Sequence, residues 1–153
     1  MARRVTVISL GSNLGDREAH LSYGISRLHD LLSNLTASPF LETPAEGKVA
    51  QPLFLNAVVA GEASIDPVRL LKALLTIEAD RGRSRPFPGA PRTLDLDLVL
   101  VGDVVVRGHG LTLPHPLFRE RRFVLEPLTG LVPDLVDPVT GLTIRELLSE
   151  LDS

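Results

Sequence analysis

Residues 93–101 read Thr93-Leu94-Asp95-Leu96-Asp97-Leu98-Val99-Leu100-Val101 and are closed by the turn pair Gly102-Asp103. Aliphatic and β-branched side chains bounded by turn residues predict a strand. Side chains on a strand alternate faces, so Leu94, Leu96, Leu98 and Leu100 share one side, and Asp95, Asp97, Val99 and Val101 the other. A face made wholly of leucine has to be covered, which demands a layered fold. The second face is acidic at its start and apolar at its end. Cover is therefore expected over half of it, with both carboxylates at the mouth of a cleft where the cover stops.

Two residues along a strand separate Cα atoms by roughly 7 Å. Two carboxylates about 6 Å apart repel by about 3 kcal/mol at an effective dielectric near 20. A cation between them relieves this. Hard divalent cations prefer oxygen ligands, and magnesium commonly takes one or two carboxylates plus substrate phosphates. An arbitrary Asp-x-Asp is more often solvated, or paired with a neighbour such as Arg92; the leucine and valine around this one favour a metal site.

The remaining elements follow in order. Val5-Thr6-Val7-Ile8-Ser9-Leu10 predicts a strand, broken by a turn over residues 11–16 that lines a pocket. Neither a Walker pattern nor a dinucleotide fingerprint accompanies that turn. Leu21, Ile25, Leu28, Leu32 and Leu35 form a helical stripe. A second strand is expected over residues 37–42, at an edge because of Pro39, and a third over 53–62. Asp66-Pro67 starts a helix that buries Leu70, Leu71, Leu74, Leu75 and Ile77 and stops at Gly82. A short strand over 104–107, an extended proline-held segment over 111–116 and an irregular stretch over 131–138 precede the capping box Thr143-Ile144-Arg145-Glu146. That box opens a final helix ending near Leu151.

Several polar residues stand out. Asn56 shares a strand face with Phe54, Val58 and Ala60, and a buried amide needs partners. It either hydrogen-bonds the backbone or reads the donor and acceptor edge of a heterocycle, with Phe54 as a stacking surface. Glu78 falls in the last turn of its helix, where the dipole disfavours an anion; this implies either a specific partner or a surface salt bridge to Arg81. Residues 83–92 hold three prolines and a glycine, which rule out helix and central strand. Arg83, Arg85 and Arg92 in that loop lead directly into the acidic strand. Guanidinium groups beside a metal site fit a phosphate clamp better than a solvated basic loop. Arg119, Arg121 and Arg122 form a second basic cluster. His115 lies between prolines, whereas His20 and His29 are expected to be exposed on the first helix.

The 44% hydrophobic content predicts a folded globule, and 153 residues suffice for one domain, here 1–153. A formal charge of −3 gives no reason to expect nucleic acid or a membrane as partner. The absence of cysteine excludes disulfides and thiolate metal sites. The short apolar start matches neither a signal peptide nor a membrane span, so a cytoplasmic protein is expected; a monomer is the simplest case, and no residue fixes the oligomeric state.

Strand, helix, strand, strand, helix, strand is the ferredoxin-like βαββαβ order of an α+β fold. Here it is extended by a hairpin and a C-terminal helix. Both early helices are expected on one face of an antiparallel-rich sheet, with loops over the other.

Arg83, the run Gly89-Ala90-Pro91-Arg92-Thr93-Leu94-Asp95-Leu96-Asp97 and Leu113-Pro114-His115-Pro116 together resemble 6-hydroxymethyl-7,8-dihydropterin pyrophosphokinases of folate biosynthesis. Gly11-Ser12-Asn13-Leu14, Phe54-Leu55-Asn56 and residues 121–123 resemble that family as well. The resemblance implies a magnesium-dependent diphosphotransferase whose small-molecule partners are ATP and 6-hydroxymethyl-7,8-dihydropterin. It implies that Asp95 and Asp97 hold two Mg2+ ions, and that Arg83 and Arg92 are catalytic arginines closing on the triphosphate. Glu78, Arg85, Arg92, Thr112, His115 and Arg121 would lie near ATP, with Leu98 beside the adenine. Thr43, Pro44, Ala45, Phe54, Asn56, Asp95 and Phe123 would form the pterin pocket. Many members carry a tryptophan in the arginine loop, which this chain lacks; Pro116 and Leu75 stand where an aromatic and a polar residue are found in others. A sugar-nucleotide glycosyltransferase would explain the Asp-x-Asp but not the arginine loop, and a ligand-binding regulatory module would explain neither.

Overall fold

The computed structural model describes residues 3–46, 50–82, 92–108 and 110–153. The expectations for Arg83, Arg85 and Gly89 fall outside these residues. The central sheet is antiparallel, with strands β1 (Arg4–Ser12), β2 (Ser33–Ala37), β3 (Leu41–Thr43), β4 (Phe54–Ala63) and β5 (Asp95–Val101). Its order is β2-β4-β1-β5, and β3 continues along the same edge of β4 as β2. A ribbon of β6 (Val106–Arg107) and β7 (Thr112–Leu113) follows β5. The expected ferredoxin-like α+β arrangement is therefore present.

Helices α1 (Arg17–Leu28) and α2 (Pro67–Asp80) cover one face. Asp16 caps α1 by accepting the Ala19 N–H, and Asp66 caps α2 by accepting the Val68 and Arg69 N–H groups. Ile8, Leu10, Ala57, Val59, Leu96 and Leu98 on the sheet meet Leu21, Leu28, Leu70, Leu74 and Ile77 on the helices. The helical stripe predicted through Leu35 stops earlier. Leu28 ends α1, Asn34 takes φ +54°, and Leu35 belongs to β2. Apolar residues at helical spacing simply continue across the turn into a strand. The edge strand expected over 37–42 is split into β2 and β3, with Pro39 in the gap, where no ladder donor is needed.

The opposite face is not left to loops. Helices α3 (Arg122–Thr129) and α4 (Ile144–Leu151) pack there, with Phe118, Val124, Leu125, Leu128, Ile144 and Leu147 against Val7, Val58, Ala60, Val99 and Leu100. The capping box of α4 forms as expected. This second layer covers one half of the face and leaves the end carrying Asp95 and Asp97 open. The half-covered face read from the alternation is thus real, although the alternation itself breaks. A β-bulge shifts the register between Val7 and Ile8, so Leu98 faces Ile8 while Leu100 faces Val7. Beyond the bulge Leu100 joins the second core and Val101 the first, the reverse of the sequence expectation.

Candidate active site

The bulge also serves the site. Bulges commonly re-aim groups beside functional clefts. Here the Val99 carbonyl accepts the His115 N–H at 2.8 Å and holds the segment after β7 over the open end of the sheet. That segment is not extended throughout: Leu113–Pro114 is a cis peptide, and the chain turns into a 3-10 helix at Phe118–Glu120.

A cleft of about 440 Å³ occupies the open end. In the ladder, Asp95 lies opposite Gly11 and Gly11 opposite Asn56, while Asp97 lies opposite Ser9. Strand β1 therefore extends through Gly11 and Ser12 rather than turning there. Gly11 forms the floor between the acidic strand and the amide, because a Cβ at that position would stand 3.3 Å from both Asn56 Oδ1 and the Phe54 ring. Asp95 and Asp97 both line the cleft, as their two-residue spacing predicts. Arg92 Nη1 contacts Asp95 Oδ2 at 3.0 Å, and Arg121 Nη1 lies 3.6 Å from Asp97 Oδ2. Arg121 also reaches Glu46 Oε1 at 2.8 Å and sits over the Phe123 ring. Among the described residues, the Nε groups of Arg92 and Arg121 are buried and have no acceptor. A buried donor left unmade costs about 1–3 kcal/mol, and both arginines that carry one line the cleft.

Thr43, Pro44, Phe54, Asn56, Glu78, Arg92, Asp95, Asp97, His115, Arg121 and Phe123 thus meet in one cleft. Ala45 adjoins it, Leu98 is buried in the core beneath α1 and α2, and Thr112 is exposed on the β6–β7 ribbon. Asn56 Nδ2 donates to Thr43 Oγ1 at 2.6 Å and to the Leu41 carbonyl, which orients its Oδ1 over Gly11. The hydrogen-bonded reading of Asn56 is met by these contacts, which also leave its Oδ1 at the cleft floor. Glu78 is 3% exposed and accepts the Leu96 N–H at 2.7 Å on the edge strand. That N–H explains an anion at a helix C-terminus, and Arg81 turns elsewhere. Leu71, Leu75 and Leu117 give the cleft an apolar wall. Leu75 is 43% exposed there, not buried on the helical face.

The second basic cluster separates into three roles. Arg119 binds the buried Asp137, Arg122 pairs with Glu126 and Asp152, and Arg121 alone enters the cleft.

His115 accepts the Leu117 N–H on Nδ1, and burial followed by the nearby Arg121 lowers its pKa below the ordinary histidine value. His20 behaves similarly and is not merely exposed: its Nδ1 accepts Arg81 Nε–H at 2.9 Å. Burial, then Arg81, lowers its pKa. A histidine held neutral in the fold leaves the unfolded chain binding more protons below about pH 6.5. Stability is therefore complete above that value and is lost as pH falls toward the lowered folded pKa. Thermal melts at pH 7.5 and 5.5 are expected to show a smaller acid-induced loss for His20→Gln than for the unchanged chain; an identical loss contradicts the role given to the His20–Arg81 bond.

The α+β sheet thus opens at one end onto paired carboxylates, guanidinium groups and an aromatic–amide corner. The chain belongs to the 7,8-dihydro-6-hydroxymethylpterin-pyrophosphokinase (HPPK) family, whose sequence profile matches residues 7–133. It is 40% identical over 147 residues to the 2-amino-4-hydroxy-6-hydroxymethyldihydropteridine pyrophosphokinase of Methylorubrum extorquens, covering 95% of this chain and 92% of that protein. It is 40% identical over 152 residues to the folic acid synthesis protein fol1 of Schizosaccharomyces pombe, spanning 98% of this chain but 21% of that longer protein. In fold it resembles the Plasmodium falciparum HPPK-DHPS A437G crystal structure with STZ-DHP, at TM-score 0.75 and 14% identity, covering 97% of this chain and 45% of that one. Among the described residues no helix is long and apolar enough to cross a membrane.

Proposed function

We propose that the chain transfers a pyrophosphoryl group from ATP to the hydroxymethyl group of 6-hydroxymethyl-7,8-dihydropterin, giving AMP and the pterin diphosphate for tetrahydrofolate synthesis. The observation that carries this reading is the shared cleft. Asp95 and Asp97, with Arg92 and Arg121 against them, stand across the Gly11 floor from Phe54 and Asn56. The acidic and basic side suits a polyphosphate, and the aromatic and amide side suits a flat heterocycle.

The pterin would lie between Phe54 and Phe123, against Thr43, Pro44 and Ala45. Asn56 Oδ1 would accept from its donor edge. In that pose the hydroxymethyl oxygen would face Asp95. That oxygen would attack the β-phosphorus; the new O–P bond forms as the bond from the β-phosphorus to the α,β-bridging oxygen breaks. AMP leaves with the bridging oxygen, and the hydroxyl proton is released. Asp95 and Asp97 would hold two Mg2+ ions. Magnesium commonly takes one or two carboxylates together with substrate phosphates, and the two aspartates of the cleft supply such a pair. At those two carboxylates magnesium would supply Lewis-acid stabilisation of the charge that develops on the phosphate oxygens. Arg92 and Arg121 are positioned to exchange their carboxylate contacts for phosphate oxygens, supplying their unspent N–H groups. With Nδ1 occupied as an acceptor, neutral His115 keeps its Nε2–H as a donor for phosphate. Glu78 acts through the strand amide that it holds. Arg83 and Arg85, which stand between α2 and β5 in the sequence, would complete the proposed clamp, whereas the buried Leu98 and the ribbon residue Thr112 lie outside the cleft lining and are given no adenine contact.

The test is incubation of the protein with ATP, Mg2+ and 6-hydroxymethyl-7,8-dihydropterin, with nucleotides separated chromatographically. AMP equimolar with pterin diphosphate is expected. ADP as the product, or no turnover, contradicts the reading.

A further inference from the structure

Asn13 is 1% exposed and every polar group of its amide is engaged. Its Oδ1 accepts the Arg92 N–H at 2.7 Å, and its Nδ2 donates to Gln51 Oε1 at 2.7 Å and to the Pro52 carbonyl at 3.1 Å. Its own N–H donates to the Arg92 carbonyl at 3.0 Å. One residue at the end of β1 thus clasps two segments that lie 38 and 79 residues away in sequence. Those segments flank the cleft: one carries Gln51 and runs into Phe54, the other carries Arg92 and runs into Asp95. A buried amide whose acceptor serves one segment and whose donors serve the other makes their separation a fixed quantity.

Resting on the proposed transfer, we infer that Asn13 is a positioning residue that sets the heterocycle side of the cleft at a fixed distance and register from the phosphate side. It is buried and is not among the residues that line the cleft. Its acceptor places the backbone of Arg92, whose guanidinium reaches Asp95; its donors place the loop beside Thr43 and Pro44. In-line transfer between two substrates is sensitive to misplacement of about 1 Å, which costs on the order of a hundredfold in rate.

The two halves of the clasp separate chemically. Asn13→Asp keeps the acceptor for the Arg92 N–H but removes the donors to Gln51 and Pro52. Gln51→Ala removes one partner of those donors without altering a buried position. Steady-state kinetics are expected to show the KM for the pterin raised about tenfold or more in Asn13→Asp, with the KM for ATP changed less than about threefold. Gln51→Ala should move the same KM less. The double variant should be no worse than Asn13→Asp alone, because both act through one hydrogen bond. A generally loosened fold would move both KM values together. Equal changes in the two KM values, no change in either, or additive effects in the double variant would overturn the inference. Should Asn13→Asp fail to fold, an unchanged pterin KM in Gln51→Ala overturns it and a raised one supports it. The unchanged chain is assayed alongside. Its failure to make AMP defeats the proposed function, whereas normal turnover beside indifferent variants defeats only the role of Asn13.

Discussion

Asp97→Asn is expected to lower AMP formation by about a thousandfold, close to 4 kcal/mol of transition-state stabilisation, while leaving the protein folded. The substitution keeps the size of the side chain and removes one of the two charges proposed to hold magnesium against the phosphates. Little stability is at stake. The Asp97 side chain is 35% exposed and its contact with Arg121 is long, at 3.6 Å. Surface pairs of this kind contribute about 0–1 kcal/mol, and relief of repulsion from Asp95 acts in the opposite direction. For a chain of this size, Tm should move by less than about 4 °C. Parallel activity and melting measurements check both statements. Undiminished turnover, or loss of turnover only through unfolding, contradicts the role assigned to Asp97.

Asp137→Ala should do the reverse, with a large loss of stability and near-normal turnover in whatever remains folded. Asp137 is fully buried. Its Oδ2 accepts Arg119 Nε–H at 2.5 Å and the Thr140 hydroxyl at 2.7 Å; its Oδ1 accepts from Arg119 Nη2 at 2.9 Å and from the Val139 N–H at 3.0 Å. Burial alone would raise its pKa, but hydrogen bonds from Arg119, Thr140 and Val139 outweigh burial and hold it below the ordinary carboxylate value. Removing one partner of such a pair leaves the other charge uncompensated and costs about 3–5 kcal/mol. At roughly 2–4 °C per kcal/mol, Tm should drop by about 10 °C. A drop of under 2 °C would show that the Arg119–Asp137 network does not hold the α3–α4 layer on the sheet.

What the sequence disclosed depends on the range of the interaction. Asp95 and Asp97 could be placed on one face of a half-covered strand because a period of two is local, and the capped starts of α2 and α4 were legible for the same reason. The bulge at Val99 was not, since one extra residue leaves no mark in a run of leucine and valine. Leu32 and Leu35 misled because a turn separated them from α1 without disturbing the spacing. Helix α3 was hidden by Pro127 and by arginines that read as one basic cluster until burial separated Arg119, Arg121 and Arg122. Asn13 showed only a polar residue after Gly11-Ser12; its partners are distant in sequence, and no local pattern announces them. A pairing of Asp95 with Arg92 is the ordinary alternative to a metal site for an Asp-x-Asp. The structure contains it beside Asp97 and Arg121 in an open cleft.

The central claim is that the Asp95–Asp97 pair binds divalent metal together with a nucleotide's phosphates. Electron paramagnetic resonance of Mn2+, titrated into the protein with and without a non-hydrolysable ATP analogue, tests it directly. The account predicts tight Mn2+ binding that requires the nucleotide and is lost in Asp97→Asn. Mn2+ binding that ignores the nucleotide, or is equal in the variant and the unchanged chain, would contradict it.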